Sequence, residues 1–446
     1  MPATGDDILR GVLNAALRAG ADAAEAVHAE SRALSLGVRN GALEDLERQE
    51  SRDLGLRVFV GARQAVVSGS DLSPTALQKL IDRAVATARL APEDPYAGLA
   101  PSEHLAHGPH PDLDLFDASE PSAEQLEALA LTAEDAARAV EHVSKSDGAG
   151  ASWSASEWRL LTTAGFDGRH RASGFSLSAS AIAEDAEGME RAGDGRRVRH
   201  FADLPDPEAI GADAGRRAAA RLGARKIAST TAPVIFENRI AASLLGPLIG
   251  AIAGPSIARG SSFLKDRLGE PVFAPGVTVT DDPFRPRGLG SSPFDDEGVA
   301  PERRALIDDG VLTTWLLNSS SARQLGLQTT GHASRGLAGP PGVSPNNLHM
   351  EPGSDDLAGL MRQAGTGLLV TSMFGPSLNG NTGDWSAGVS GVWFEGGEPA
   401  YPVREITVAG NLRDLYARLI PGSDMEFRGA TNAPSLLIDA VAIAGR

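Results

Sequence analysis

The chain contains no cysteine in 446 residues. That absence removes disulfides, thiolate metal ligands and cysteine nucleophiles together, and it suits a reducing compartment. Positive charge is scarce as well: Lys+Arg 41 against Asp+Glu 58 leaves a net charge of −17. A surface of that sign repels nucleic-acid phosphate and anionic membrane alike, so neither is expected as a partner. The obvious basic cluster, Arg191, Arg196, Arg197, Arg199 and His200, is read as a solvated hairpin or loop. Long apolar runs are missing. The stretch from Ile240 to Ala253 is interrupted by Gly246-Pro247 and falls short of the ~20 residues needed to span a bilayer. The first ten residues are polar and acidic, without the basic start and apolar core of a signal peptide, so cytoplasmic residence is expected. There is no Gly-Lys dipeptide and hence no Walker A loop. Gly288-Leu-Gly290 lacks the third glycine of a dinucleotide fingerprint, and Val392 stands where Gly388-Val-Ser-Gly391 needs the closing glycine of a nucleophile elbow.

What is present is a chain long enough for two or three domains. Ile8, Val12, Leu13, Ala16 and Leu17 recur at helical spacing before Gly20, and Ser73-Pro74 opens a second helix running to about Leu90. Between them lie strand-like runs separated by Asn40-Gly41 and Gly61-Ala-Arg63. A second block, from Ser122 to about Arg225, echoes this order as a weak structural repeat. The expected architecture is α+β: an N-terminal α/β domain over 1–95, a linker over 96–121, a middle α/β domain over 122–228, and a β-rich C-terminal domain over 229–446.

Several constellations are candidates for chemistry. His104, His107 and His110 lie among prolines, which argues for a solvated linker and not an aligned ligand set. Asp308-Asp309-Gly310 reads as a hairpin turn, and Asp295-Asp-Glu297 as a solvated loop. His332 and His349, with carboxylates from Asp281 to Glu297, would be the parts of a free-standing hydrolase with an unrecognised metal site. Ser261, Ser262, Asn318, Asn379, Asn381 and Asp384 are a small polar set suited to hydrogen-bonding an extended peptide.

The broken helix carries the most information. Proline within a helix costs roughly 3 kcal/mol, so Gly246-Pro247 was not chosen for helix stability. Ala242, Gly246, Gly250 and Gly254 recur every four residues, the spacing of a close-packed helix face. Taken with Pro233-Val-Ile-Phe236, Gly260-Ser-Ser-Phe-Leu264 and Tyr401-Pro-Val-Arg-Glu-Ile-Thr-Val-Ala-Gly-Asn-Leu412, this helix resembles the TldD/PmbA family, and its PmbA (TldE) branch most. In the TldD branch the helix carries His-Glu-x-x-x-His, and a cysteine near the C-terminus completes a zinc site. By the resemblance those three helix positions are Gly246, Pro247 and Ala251 here, none of which has a lone pair to give. The resemblance implies a subunit with no cofactor of its own, completing the chamber of a peptidase whose zinc sits on a TldD-type partner, with unfolded or small peptides as substrate. A homodimer of the chain alone, or a regulatory binding protein, remains open at this point.

Overall fold

Residues 5–186 and 188–445 are described by a computed structural model. Met1 to Thr4 of the N-terminal stretch read above lie outside them. The first unit runs α1 (Gly5–Arg18), β1 (Ala23–Arg39), β2 (Ala42–Val60), β3 (Arg63–Gly69), α2 (Pro74–Leu90). The second repeats that order as α3 (Ala123–Arg138), β4 (Val143–Thr162), β5 (Asp167–Asp185), β6 (Gly188–Val198), α4 (Pro207–Ala219). Three of these helices start where a side chain satisfies an orphan backbone donor: Ser73 accepts from Ala76, Ser122 and Gln125 close a capping box, and Asp206 accepts from Glu208. Asn40 and Gly41 both take positive φ, 55° and 76°, as a two-residue hairpin turn requires. The buried Glu134 of α3 holds that turn, accepting from the N–H of Asn40 and of Gly41 at 2.7 Å each.

The two units share one six-stranded sheet, ordered β3-β2-β1-β4-β5-β6, because β1 pairs antiparallel with β4 from Glu25–Thr162 to Val38–Ala149. Helices α1 and α2 cover Ala24, Ala26, Leu54 and Leu56 at one end, while α3 and α4 cover Leu36, Val38, Phe175 and Leu177 at the other. Helices α3 and α4 approach each other closely. A Cβ on Gly211 would lie 1.9 Å from the Ala133 carbonyl oxygen, and one on Gly215 2.7 Å from that of Ala137. Gly246 and Gly250, which share that four-residue spacing, have nothing within 4 Å of an added Cβ. The close-packed reading of the Gly246 stripe therefore holds only at its end: Gly246 and Gly250 face open space, while a Cβ on Gly254 would lie 2.4 Å from the Ser321 hydroxyl. Gly211→Ala should cost about 1–3 kcal/mol by forcing two helix backbones apart. Gly246→Ala should be neutral or gain up to about 1 kcal/mol through helix propensity. Denaturant unfolding of the two variants separates them, and equal costs would contradict this packing.

The C-terminal part begins with β7 (Thr230–Phe236) and three short helices, α5 (Asn238–Ala241), α6 (Leu245–Ile252) and α7 (Gly254–Ala258). Then follow β8 (Val279–Asp281), β9 (Arg304–Asp308), β10 (Val311–Leu312), α8 (Ser319–Leu325), β11 (Ala333–Ser334), β12 (Gly342–Val343), β13 (Leu348–Met350) and α9 (Leu357–Ala364). The chain closes with β14 (Gly367–Leu378), β15 (Asp384–Glu395), β16 (Glu398–Asn411), α10 (Leu412–Tyr416), β17 (Leu419–Pro421), β18 (Thr431–Asn432) and β19 (Leu436–Ala444). One sheet runs β16-β15-β14-β7-β19-β17, and a further β16–β19 pairing closes it on itself. A second runs β10-β9-β8-β13-β18. The short helices pack into the same core as these sheets through Leu244, Leu245, Leu248 and Ile252.

The segment between the two N-terminal units is a docked strap, where composition had suggested a linker. Leu105, Ala106, Leu113 and Leu115 are buried, the Ala106 N–H donates to the Gly298 carbonyl at 2.8 Å, and the Arg287 N–H donates to that of Leu113 at 2.8 Å. Prolines and polar residues dominate the segment, but four apolar side chains suffice to pin it. No helix of the described residues is long and apolar enough to cross a membrane.

Candidate functional site

The break in the helix has a local cause. Pro247 offers no N–H to the Ser243 carbonyl, and the chain before it, Ala242–Leu244, winds as a tighter 3₁₀ turn between α5 and α6. The buried Tyr416 hydroxyl donates to the Leu244 carbonyl at 2.7 Å and ties α10 to the start of α6. On α6, Gly246 is exposed, Pro247 half-buried and Ala251 buried. A hydrolytic metal needs three ligands with lone pairs and an open position for water. These three side chains have none, so the family's helix position does not fit a metal. Among the described residues no group of three or more His, Asp or Glu is placed to hold one.

The polar set divides into used and open members. Ser262 is buried, its hydroxyl donating to the Ala251 carbonyl at 2.6 Å. Asn318 caps α8, accepting from the Ser321 N–H at 2.8 Å while its own amide donates to the Pro341 carbonyl at 2.7 Å. Ser261, Asn379, Asn381 and Asp384 are exposed. The last three form the β14–β15 turn: Asn379 accepts from the Asn381 N–H, and Asp384 from the Thr382 hydroxyl and the Asn411 amide. Phe263 N–H donates to the Gly380 carbonyl, which brings Ser261 beside this turn, whereas Asn318 lies with α8.

His332 does meet a carboxylate from the expected region. Its Nε2 is 3.1 Å from Asp281 and its Nδ1 2.8 Å from the Thr330 hydroxyl. With the proton on Nε2, the ring donates to Asp281 and accepts from Thr330. The order Thr–His–Asp looks like a nucleophile relay, but His332 is 2% exposed, Asp281 0% and Thr330 7%. Asp281 also accepts the Asn346 N–H and side-chain amide, at 2.8 and 2.9 Å, and Thr330 accepts the Leu317 N–H. This is a sealed structural network that a substrate does not reach. His349 pairs with Glu351 at 3.2 Å and packs its ring against Phe427.

Asp295, Asp296 and Glu297 are not a solvated loop. They turn inward at the seam between the N-terminal sheet and the C-terminal part, where Arg57 and Arg335 meet Glu25. Asp295 accepts backbone N–H from Glu297, Val299 and Ala333, yet burial and the neighbouring Glu297 push its carboxyl up. Burial likewise raises Glu297, against the hydrogen bond from Ser319. Asp296 is pushed up to about 6, first by burial, against the Arg335 N–H and guanidinium. Its folded-state value lies above the unfolded one, so folded protein keeps a proton that unfolded chain releases. Stability from this group therefore falls as pH rises from about 4 through about 6, and is level above. Asp296→Asn keeps the protonated shape at every pH. It should gain about 3 kcal/mol over the parent at about pH 8 and nothing at about pH 4, by denaturant unfolding. An equal gain at both pH values would show that ionisation is not the cause.

A cavity of about 940 Å³ lies between the far end of the N-terminal sheet and α5 with β14. Its floor is small, including Gly150, Ser178, Ser180 and Gly193, and its walls hold Arg191, Arg217, Arg221, Arg239 and Arg428. Arg239 pairs with both oxygens of Asp194, at 2.6 and 3.1 Å, and Arg217 with both of Glu237, at 2.8 and 2.6 Å. The basic cluster on β6 is thus part of a wall and a seam: Arg191 reaches Asp147, Arg196 reaches Glu426, and Arg199 donates to the carbonyls of Gly288 and Leu289. Sequence signals missed this cavity because its walls come from segments far apart in the chain. Only the Arg191 to His200 cluster hinted at it.

Three domain models match the chain: PmbA/TldA metallopeptidase domain 1 over residues 24–88, the central domain over 116–222 and the C-terminal domain over 229–445. The chain is 38% identical over 427 residues to Metalloprotease PmbA of Escherichia coli O157:H7, spanning 95% of this chain and 93% of that protein. It is 35% identical to the Metalloprotease PmbA homolog of Haemophilus influenzae, over 96% and 94% of the two. A crystal structure from Bacteroides thetaiotaomicron, described as a proposed modulator of DNA gyrase, superposes with a TM-score of 0.91 at 28% identity over 99% of this chain and 100% of that one. TldE from Thermococcus kodakarensis shares the fold, with a TM-score of 0.88 at 20% identity over 98% and 100%. From the match along nearly its whole length, the chain belongs to the PmbA/TldD metallopeptidase family.

Proposed function

We propose that this chain is the subunit without metal of a two-protein, TldD/TldE-type metallopeptidase, and that it completes the chamber and holds unfolded or small peptides for a zinc-bearing partner. The observation that carries this reading is the donor set on α6. Gly246, Pro247 and Ala251 leave a metal helix with no ligand and no general base, while Gly246 and Gly250 keep one side of it open. The cavity beside α5 supports the holding role, with a size suited to a peptide segment and a floor of small residues. Cytoplasmic residence belongs to the same reading.

The test is hydrolysis of an unstructured peptide by this chain alone, by a TldD-type zinc protein alone, and by the two mixed. Activity confined to samples with the zinc protein, raised by adding this chain and abolished by chelator, is the expected result. Chelator-resistant hydrolysis by this chain alone, or zinc retained near one per chain after desalting, would sink it.

A further inference from the structure

In a chain of net charge −17, the walls of the 940 Å³ cavity carry five arginines against three carboxylates, Glu44, Asp147 and Asp194. Those carboxylates are already engaged. Asp194 is held between Arg239 and Arg428, Asp147 pairs with Arg191 at 2.6 Å, and Glu44 with Arg39 at 3.2 Å. Hydrogen bonds from Arg239 hold the Asp194 carboxyl below its ordinary value although burial alone would raise it, so it stays a fixed anion.

Arg221 differs from its neighbours. Among the described residues no carboxylate lies within ion-pair distance of it. Its one hydrogen bond to the described residues is from Nη1 to the Arg191 carbonyl, at 2.7 Å. It lines the cavity beside Arg217, four residues earlier; burial first, and then that like charge, press its guanidinium toward the uncharged form, against Glu190 and Glu237, which are themselves paired with Arg404 and Arg217. A half-buried cation with free N–H groups, no carboxylate in direct contact and a like-charged neighbour gains from an incoming anion. Arg217 and Arg239 are fixed by two-pronged ion pairs, so the wall around it is organised in advance.

We propose that this cavity selects extended peptides that carry a carboxylate, either an acidic side chain or a C-terminus, with Arg221 as the group that receives it. The proposal rests on the peptide-holding reading above and narrows it to a substrate class. Affinity comes from a charge-assisted hydrogen bond in a cavity whose other charges are spent on one another.

The test is calorimetric titration of the full chain, without partner, with three N-acetylated unstructured peptides of equal length. One carries a central Glu and a C-terminal amide, one a central Gln and a C-terminal amide, and one a central Gln and a free C-terminus. At least one carboxylate-bearing peptide should bind about tenfold more tightly than the neutral one, an advantage that weakens with salt. The two carboxylate arms tell side chain from terminus. Arg221→Gln should erase the advantage and leave the neutral peptide's affinity unchanged. Equal binding of all three peptides, or a preference that survives Arg221→Gln, overturns the proposal and leaves the holding role standing. Binding of none of them overturns the holding role itself, and this inference with it.

Discussion

Replacing Asp281 with alanine will lower the free energy of unfolding by about 3–5 kcal/mol. The carboxylate is wholly buried and takes three donors, His332 Nε2, the Asn346 N–H and the Asn346 side-chain amide. Removing it orphans His332 Nε2 in a space closed to water and leaves two donors of the half-buried Asn346 unpaired, at about 1–3 kcal/mol for each unsatisfied group. Partial rearrangement of the Asn346 amide reduces the sum. His332 then loses the acceptor that fixes its tautomer, and Thr330, which also takes the Leu317 N–H, loses its positioned partner. The loss should appear in denaturant unfolding and leave peptide binding by the surviving folded protein intact. A cost below about 1 kcal/mol would mean that the network is not closed as described.

Much of this architecture could be read from the chain. Ser73-Pro74, the helix start at Ser122, and Asn40-Gly41 are local devices whose geometry is set by the residues themselves, and each is found where expected. The donor chemistry of Gly246, Pro247 and Ala251 is equally local. Other features depend on what stands opposite, which spacing does not encode. Gly211 and Gly215 share their four-residue interval with Gly246 and Gly250, yet one pair touches the Ala133 and Ala137 carbonyls and the other faces open space. Asp295 to Glu297 look like surface residues until Arg57 and Arg335, from distant segments, are placed beside them. The pairing of β1 with β4, which makes one sheet of two units, likewise has no local signature. Polar residues such as Ser262 and Asn318 suggested a binding surface, but they are buried and their hydrogen bonds go to the protein's own backbone, at Ala251, Pro341 and Ser321.

Arg57→Met will cost about 3–5 kcal/mol, and the cost will grow with pH. Arg57 and Glu25 stand directly opposite on β2 and β1, each 1% exposed, with Nη1 3.2 Å from the carboxylate. Arg57 also donates from Nε to Gln64 at 2.8 Å and lies 4.0 Å from Glu297. On the far side of the seam Arg335 reaches the same Glu25 oxygen. Two guanidiniums thus serve three carboxyl groups, Glu25, Asp296 and Glu297, with Asp295 beside Glu297, and burial has already pushed Asp295, Asp296 and Glu297 up. With Arg57 gone, Arg335 alone faces Glu25, Asp296 and Glu297. The folded protein must then hold more protons than the unfolded chain, which is easy near about pH 4 and costly near about pH 8. Removing the opposing charge as well, in Arg57→Met with Glu25→Leu, should recover part of the loss, because a buried pair replaced by apolar groups no longer leaves a bare ion. A destabilisation independent of pH would place the effect in lost packing against Phe59, over whose ring the guanidinium sits at 4.7 Å, and not in charge. Because Glu25 and Arg57 belong to the N-terminal sheet and Arg335 and Glu297 to the C-terminal part, the damage should appear first as faster hydrogen exchange at the Asp295 to Val299 turn. The seam that positions the C-terminal part against the sheet is held by charge, and that charge is only just balanced.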